Sequence, residues 1–164
     1  MSAPSPDHKK KVAFAGLVAL LLLPLLAITI PYYRSVKTEY EAFHAYVAQT
    51  LDDPQAVPPW GTETPSPEAC VAAAITWGEA CPGAREFCKG SVPEVVRRCL
   101  EVSDRTAWCS AQGQAWMTGR FGYHDCEKRL EGMEGQARRR RESYCAYSWA
   151  KVGRHCAALD LPAP

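Results

Sequence analysis

The chain lacks the short motifs by which most catalytic sites are recognised. Its 164 residues contain no glycine-rich phosphate loop, no HExxH pair and no GxSxG elbow. No two cysteines are spaced as C-x2-C, which zinc and thioredoxin-like redox sites use. The four histidines are scattered, and solvation or packing explains each of them (His8, His44, His124 and His155). The sequence therefore predicts no catalytic residue, no metal site and no cofactor, and we expect that the protein is not an enzyme.

An excess of charge is also missing. The formal net charge of +1 gives no overall attraction to nucleic acid or to an acidic partner. Runs that alternate apolar and polar residues, as half-buried β-strands do, are absent as well. We therefore predict an all-α fold, and we expect neither nucleic acid nor a small-molecule substrate as a partner.

Charge is entirely absent from one long apolar run, Val12–Ile30. A helix of these 19 residues nearly spans a hydrocarbon core of ~30 Å. Lys9–Lys11 precede the run, and Tyr32, Tyr33 and Arg34 follow it, which is the flank pattern of a membrane-spanning helix. We therefore predict a transmembrane helix over residues 12–33, with the lysines on the cytoplasmic or matrix side.

A cleaved signal peptide is the alternative explanation of this run. Such peptides have an apolar core of roughly 7–15 residues and a small-x-small cleavage site. Here the apolar run is longer, and Leu25 occupies the position two residues before Ala27. The sequence therefore favours an uncleaved anchor.

All eight cysteines follow the apolar run: Cys70, Cys81, Cys88, Cys99, Cys109, Cys126, Cys145 and Cys156. An even number of cysteines in a short domain predicts a disulfide framework. Disulfides persist only in oxidising compartments. The cysteines therefore predict that the C-terminal part lies on the oxidising side of the membrane, opposite the lysines.

Turn and capping signals divide the rest of the chain. We predict a polar tail (1–11), the transmembrane helix (12–33), a juxtamembrane helix (34–53), a proline-rich tether (54–66) and a disulfide-rich helical domain (67–160). Within the domain, Ser66 caps a helix that reaches Cys81. A short helical turn covers 84–88, and a capping box at Ser91 starts a separate helix. Asp104 starts a helix that reaches Trp116, and residues 125–159 are helical with a break at 132–135.

The spacing of the cysteines is the most informative pattern. Three pairs are eleven residues apart, namely Cys70 with Cys81, Cys88 with Cys99, and Cys145 with Cys156. At ~100° per residue, eleven residues return to the same face of a helix about three turns on. Two such cysteines are too far apart, at ~16 Å, to bond each other within one straight helix. They are placed to link a second, antiparallel helix at two levels.

The segment C-x10-C-x6-C-x10-C from Cys70 to Cys99 resembles the twin-cysteine helical hairpins, or CHCH proteins, of the mitochondrial intermembrane space. Outer cysteines pair with each other in that family, as do inner ones, so the resemblance implies Cys70–Cys99 and Cys81–Cys88. For the C-terminal half it implies Cys109–Cys156 and Cys126–Cys145.

The stretch REFCKGSVPEVVRRCLEVSDRTAWC also looks like the body of a two-hairpin CHCH subunit of respiratory complex I. That alignment implies Cys88–Cys99 and Cys81–Cys109 instead. The two registers compete, and we favour the symmetric one.

The family resemblance implies a non-catalytic, supernumerary subunit of a large membrane complex, in the first place of the mitochondrial respiratory chain. The chain would be anchored once in the inner membrane, with its CHCH-like domain in the intermembrane space. The expected partners are other subunits and membrane lipids. The alternatives are a bacterial periplasmic binding or scaffold domain with a membrane anchor, and a small redox or assembly factor with an exposed, low-pKa cysteine pair.

Four consecutive arginines form the strongest local charge feature. Four successive helical residues cannot share one face, so a solvated surface is the simplest explanation. The functional hypothesis is docking, because guanidinium groups bind carboxylates and phosphates bidentately. The predicted docking or lipid-binding residues are Arg138, Arg139, Arg140, Arg141, Tyr32, Tyr33 and Arg34.

Overall fold

A computed structural model describes the backbone of residues 6–159 and the side chains of Leu20 and of residues 24–159. The helices are α1 (Pro6–Val47), which continues as a π-helical turn (Ala48–Asp52), α2 (Pro67–Ala80), α3 (Arg85–Leu100), α4 (Thr106–Ala111), α5 (Tyr123–Arg129) and α6 (Gly135–Ala157). A short 3-10 turn covers Ala115–Met117. Over the described backbone there is no β-strand, which confirms the predicted all-α class.

The chain divides into two compact units, Met1–Glu39 and Tyr40–Pro164. In the first unit, the side chains from Pro24 to Glu39 are exposed on α1. No helix in the described part of the chain is long and apolar enough to cross a membrane. Much of the predicted span 12–33, namely 12–19 and 21–23, lies outside the residues whose side chains are described.

The second unit begins well before the domain boundary expected at residue 67. Phe43, Val47 and Leu51 on the last turns of α1 are partly buried against the core of this unit. The predicted tether, 54–66, has no regular structure, yet Trp60 from its middle also packs on the core. Phe43, Val47 and Leu51 of the predicted juxtamembrane helix are therefore part of the domain, because burying them removes apolar surface from water.

Helix α2 begins as its sequence predicts. The hydroxyl oxygen of Ser66 accepts a hydrogen bond from the backbone N–H of Ala69 at 3.2 Å, and Pro67 occupies the first helical position. Proline is favoured there because its missing N–H would have no partner in the helix anyway. The helix ends at Ala80, immediately before Cys81 and Pro82.

Helix α3 corrects the expected division into two helices. The sequence predicts a turn over 84–88 and a new helix from Ser91, but Arg85–Leu100 is one continuous helix with Pro93 inside it. Its apolar face buries Val92, Val95 and Val96 completely. This packing outweighs the single backbone hydrogen bond that a proline cannot donate. Cys88 and Cys99 therefore lie on the same helix.

Helix α4 is shorter than expected. It ends at Ala111 instead of reaching Trp116, which lies in the 3-10 turn. Asp104 precedes the N-cap residue Arg105 and does not cap α4, although its carboxylate accepts a hydrogen bond from the backbone N–H of Thr106 at 2.9 Å. The predicted break at 132–135 separates α5 from α6.

Helices α2, α3 and α6 pack against one another and enclose the core. Its largest members are aromatic and branched residues: Val71, Ile75, Trp77, Val92, Val95, Val96, Leu100, Tyr144, Trp149 and Val152. The short helices α4 and α5 lie beside α6 and are joined to it covalently.

Candidate functional site

Four disulfides connect the helices of the second unit. They are Cys70–Cys99, Cys81–Cys88, Cys109–Cys156 and Cys126–Cys145. The first two hold the α2–α3 hairpin, and the other two tie α4 and α5 to α6. Their Cα–Cα distances, from 5.4 to 5.9 Å, fall within the usual range for a disulfide. These are the pairs of the symmetric register, and no described cysteine is free.

The end of α1 is held on the domain by polar contacts instead of a disulfide. The guanidinium of Arg98 donates to the backbone carbonyl of Leu51 and to the carboxylate of Asp52, the latter at 2.9 Å. The indole N–H of Trp77 donates to the hydroxyl of Thr50 at 2.8 Å. These contacts fix residues 50–52 against α2 and α3.

Of the four arginines in the run, two hold the fold through hydrogen bonds and two have no partner among the described residues. Arg138 donates to the backbone carbonyls of Leu130 and Met133, at 3.1 and 3.4 Å, and so satisfies the end of α5. Arg141 makes a bidentate pair with Glu79 at 2.6 and 2.7 Å, which joins α6 to α2. The hydrogen bonds that Arg141 donates to the Glu79 carboxylate raise the pKa of Arg141. These two side chains hold the fold and are not available for docking.

Arg139 and Arg140 are exposed, and their guanidinium groups have no hydrogen bond or ion pair with any described residue. One turn further on, Ser143 accepts a hydrogen bond from Arg85 at 3.4 Å. Lys89, one turn along α3, lies 5.2 Å above the ring of Tyr147. We call the surface formed by Arg85, Lys89, Arg139 and Arg140 the basic face.

Phe87, between Arg85 and Lys89 on α3, stacks against Tyr40 and Phe43 with ring centroids 5.7 and 5.6 Å apart. The other predicted docking residues, Tyr32, Tyr33 and Arg34, belong to the first unit and are exposed on α1. The basic face itself was only half predicted, because nothing in the sequence shows that α3 and α6 lie side by side.

A groove of about 610 Å³ runs along the outer face of α6. Its floor consists of small residues, Ala146, Ala150, Gly153 and Ala157, and its walls are mainly apolar, with Trp116, Met117, Phe121, Tyr123, Leu130 and Trp149. This groove was not predicted from the sequence. The signal for it was the stripe of small residues at helical spacing on a helix that otherwise carries large side chains.

Three of the four indole N–H groups in the helical domain have a hydrogen-bond acceptor, and one has none. Those of Trp77, Trp108 and Trp149 donate to Thr50, Glu68 and Asp125 at 2.8, 3.2 and 2.9 Å. The indole nitrogen of Trp116 is buried and has no acceptor among the described residues. A buried donor without an acceptor is costly.

Among the residues that line the groove, Tyr123 has its pKa raised, chiefly by its hydrogen bond with Glu127. The carboxyl of Glu94 has its pKa lowered from 4.5 to about 2, chiefly by its hydrogen bonds with Arg97. Burial lowers the pKa of Arg105, whose guanidinium donates to the carbonyls of Cys99 and Leu100 at the end of α3. Within the described residues, no group of three or more histidine, cysteine or acidic side chains is placed to hold a metal ion.

The fold and its staples define a small, all-helical, disulfide-bonded domain that follows a long helix. No protein-family model matches the chain, and no curated protein or solved structure is significantly similar to it.

Proposed function

We propose that this protein is a non-catalytic structural subunit of a large membrane complex, with a CHCH-like domain held on the oxidising side of the membrane. The complex proposed first is one of the mitochondrial respiratory chain, which places the anchor in the inner membrane and the domain in the intermembrane space. The observation that carries the proposal is the framework of four disulfides, each joining two separate helical segments.

The disulfide framework supports a structural role in two ways. Each disulfide adds ~2–4 kcal/mol in the entropic model, which stabilises a domain too small to bury a large core. The Cys70–Cys99 pair is also fully buried, so an oxidant or a reductant does not reach it in the folded domain. A redox factor needs the opposite arrangement, an accessible cysteine of low pKa.

The anchor rests on the sequence of residues 12–30. This run contains no charged residue and has lysines before it and tyrosines after it. Tyr32 and Tyr33, with 72% and 70% of their surface exposed, are the kind of side chain that lies at a membrane interface. The lysine flank supports an orientation with the N-terminus on the cytoplasmic or matrix side.

The basic face is the proposed docking surface for an acidic neighbouring subunit or for anionic lipid. Arg139 and Arg140 are exposed and have their guanidinium donors free, which suits bidentate contacts to carboxylate or phosphate oxygens. Arg138 and Arg141 are excluded from this role by their contacts with Leu130 and Glu79. Of the four arginines, only Arg139 and Arg140 therefore remain in the docking hypothesis.

The deciding experiment is gentle solubilisation of membranes that contain the protein, followed by native gel electrophoresis and mass spectrometry. Migration at many times the 18.1 kDa of the chain, together with respiratory subunits, supports the proposal. Co-migration with an envelope machine supports the bacterial periplasmic scaffold instead, and migration of the chain alone contradicts both.

A pair of variants tests the docking surface in the same experiment. Arg139→Gln with Arg140→Gln removes the free charges and leaves the fold contacts of the run intact. We expect less incorporation into the complex. The matched control is Arg120→Gln, which removes an exposed charge away from the basic face and should leave incorporation unchanged. Equal incorporation of the double variant and the wild type would contradict a role for the basic face.

A further inference from the structure

We infer that the groove along α6 binds a single-chain amphiphile with an anionic head group, of the fatty-acid type. The inference is independent of the structural-subunit proposal, since it concerns a different face of the domain. It rests on the volume and lining of the groove and on the charges at its two ends.

The size of the groove suits one slender ligand. Its volume of about 610 Å³ lies within the ~300–1,000 Å³ of small-molecule sites. From Arg138 to Ala157 it follows α6 over nineteen residues, or about 28 Å at the helical rise. A partner helix has a diameter of ~10–12 Å with its side chains, which is too wide to enter a groove of this volume and length. An extended apolar chain fits both dimensions.

The walls of the groove expose apolar side chains to water, which is unfavourable. Met117 and Tyr123 leave 57% and 54% of their surface exposed at the rim of the groove. Large apolar side chains that gather around one concavity, instead of being scattered, indicate a binding surface. Ala146 and Ala150 on the floor are exposed too, so the depth of the groove comes from their small size.

The polar head group is assigned to the C-terminal end of α6. A Cβ atom on Gly153 would lie 3.0 Å from the backbone oxygen of Trp116, so these two residues are in contact there. Next to Gly153, Arg154 uses its Nε on the carbonyl of Ala150 at 3.2 Å and is otherwise exposed. A carboxylate head would pair with the remaining donors of the Arg154 guanidinium.

The other end of the groove disfavours an anion. Glu127 and Glu142 line it, and the one cation there, Arg138, is already bound to the carbonyls of Leu130 and Met133. An acidic head group is therefore repelled from this end and attracted to Arg154. The charge pattern fixes the direction in which the amphiphile lies.

The test uses the full chain in phospholipid vesicles with a photoactivatable, diazirine-bearing long-chain fatty acid. Peptide mass spectrometry locates the adducts after illumination. We expect adducts on Met117 and Tyr123, and about a tenfold loss of them in Ala150→Leu, because leucine fills the floor of the groove. Ala137→Leu, an exposed site on the same helix outside the groove, should keep them. Labelling of the apolar run 12–30 is the internal reference for probe concentration.

Two outcomes would overturn the inference: no enrichment of adducts at the groove, or equal labelling in Ala150→Leu and Ala137→Leu. The head group is tested with the alcohol of the same chain length. Arg154→Gln should lower the preference for the acid over the alcohol about threefold, as expected for an exposed charge pair. An unchanged preference would overturn the assignment of the anionic head. Native-gel incorporation, measured in parallel, reports separately on the structural-subunit proposal.

Discussion

The α2–α3 hairpin and the α4–α6 half of the domain each contain two disulfides, yet they are packed differently. The hairpin buries Val92, Val95 and Val96 completely between its neighbours, and the end of α1 covers its outer side. Helices α4 and α5 have only six and seven residues and leave a groove open beside α6. Disulfides fix which segments are neighbours, but they do not fill the space between them.

The same comparison explains the groove. A short helix is marginal by itself and needs packing to persist. In the hairpin that packing comes from a continuous apolar face. In the other half, Cys109–Cys156 and Cys126–Cys145 hold α4 and α5 in place, and side chains of α5 and of the 3-10 turn line the groove. The disulfides in this half therefore provide part of the stabilisation that a packed core provides in the hairpin.

The largest expected effect comes from removing Cys109–Cys156. This disulfide closes a separation of 47 residues, whereas Cys81–Cys88 closes only 7. In the entropic model the two contribute about 4 and about 2 kcal/mol. We expect Cys109→Ala with Cys156→Ala to lower the free energy of unfolding by about twice as much as Cys81→Ala with Cys88→Ala. Urea unfolding of the full chain, followed by tryptophan fluorescence, measures the difference. Equal losses would show that the α4–α6 half does not depend more on its staples.

A second effect concerns Gly122, where the loop before α5 meets α6. Its φ of 75° is in the left-handed region, and a Cβ atom there would lie 2.0 Å from the ring of Trp149. Backbone strain and overpacking together predict a loss of about 3 kcal/mol for Gly122→Ala. Gly132 has a φ of 73°, but a Cβ atom there would meet nothing within 4 Å. Gly132→Ala therefore introduces backbone strain alone, and we expect a stability loss of about 1 kcal/mol. Thermal unfolding of both variants separates packing from backbone strain, and equal shifts would contradict the close contact with Trp149.

A smaller effect is expected at the ion pair that joins the two halves. Arg141 and Glu79 are bidentate, and their side chains are 33% and 30% exposed. We expect a coupling free energy of about 1 kcal/mol, near the upper end for partly exposed pairs. A double-mutant cycle with Glu79→Gln and Arg141→Gln measures it. A coupling near zero would show that α2 and α6 are held together by apolar packing alone.

The smallest effect is a dependence on pH in the hairpin. The pKa of Glu94 is lowered from 4.5 to about 2, so its ionised form stabilises the fold. This contribution is complete above about pH 5 and is lost as the pH falls toward 2. The side chain is 38% exposed, so water screening keeps the contribution below about 1 kcal/mol.

The comparison of Glu94→Gln with wild type at several pH values tests this. The stability difference between them should shrink between pH 5 and pH 2. Glu131→Gln, at an exposed position in the other half, is the control and should show no such trend. A difference that stays constant with pH would contradict an ionic role for Glu94.

Much of the domain follows from local sequence. The cap at Ser66, the first-turn proline at Pro67 and the break at 132–135 lie where the sequence predicts them, because each depends on neighbouring residues only. The eleven-residue cysteine spacing predicts disulfide bonds between helices for the same reason, since it is a property of helix geometry. These features need no knowledge of the rest of the fold.

The remaining features depend on contacts between segments far apart in sequence. Pro93 stays inside a continuous helix because tertiary packing outweighs a local signal. Arg138 and Arg141 became structural, and Arg139 and Arg140 free, only when α6 met α5 and α2. The groove beside α6 is formed where α5 and the 3-10 turn lie against the long helix. Sequence by itself determined the helices and the oxidised framework. The tertiary structure decided which side chains have hydrogen-bond partners within the fold and which remain to bind something else. The reason is that a hydrogen bond or a contact needs both of its partners in place.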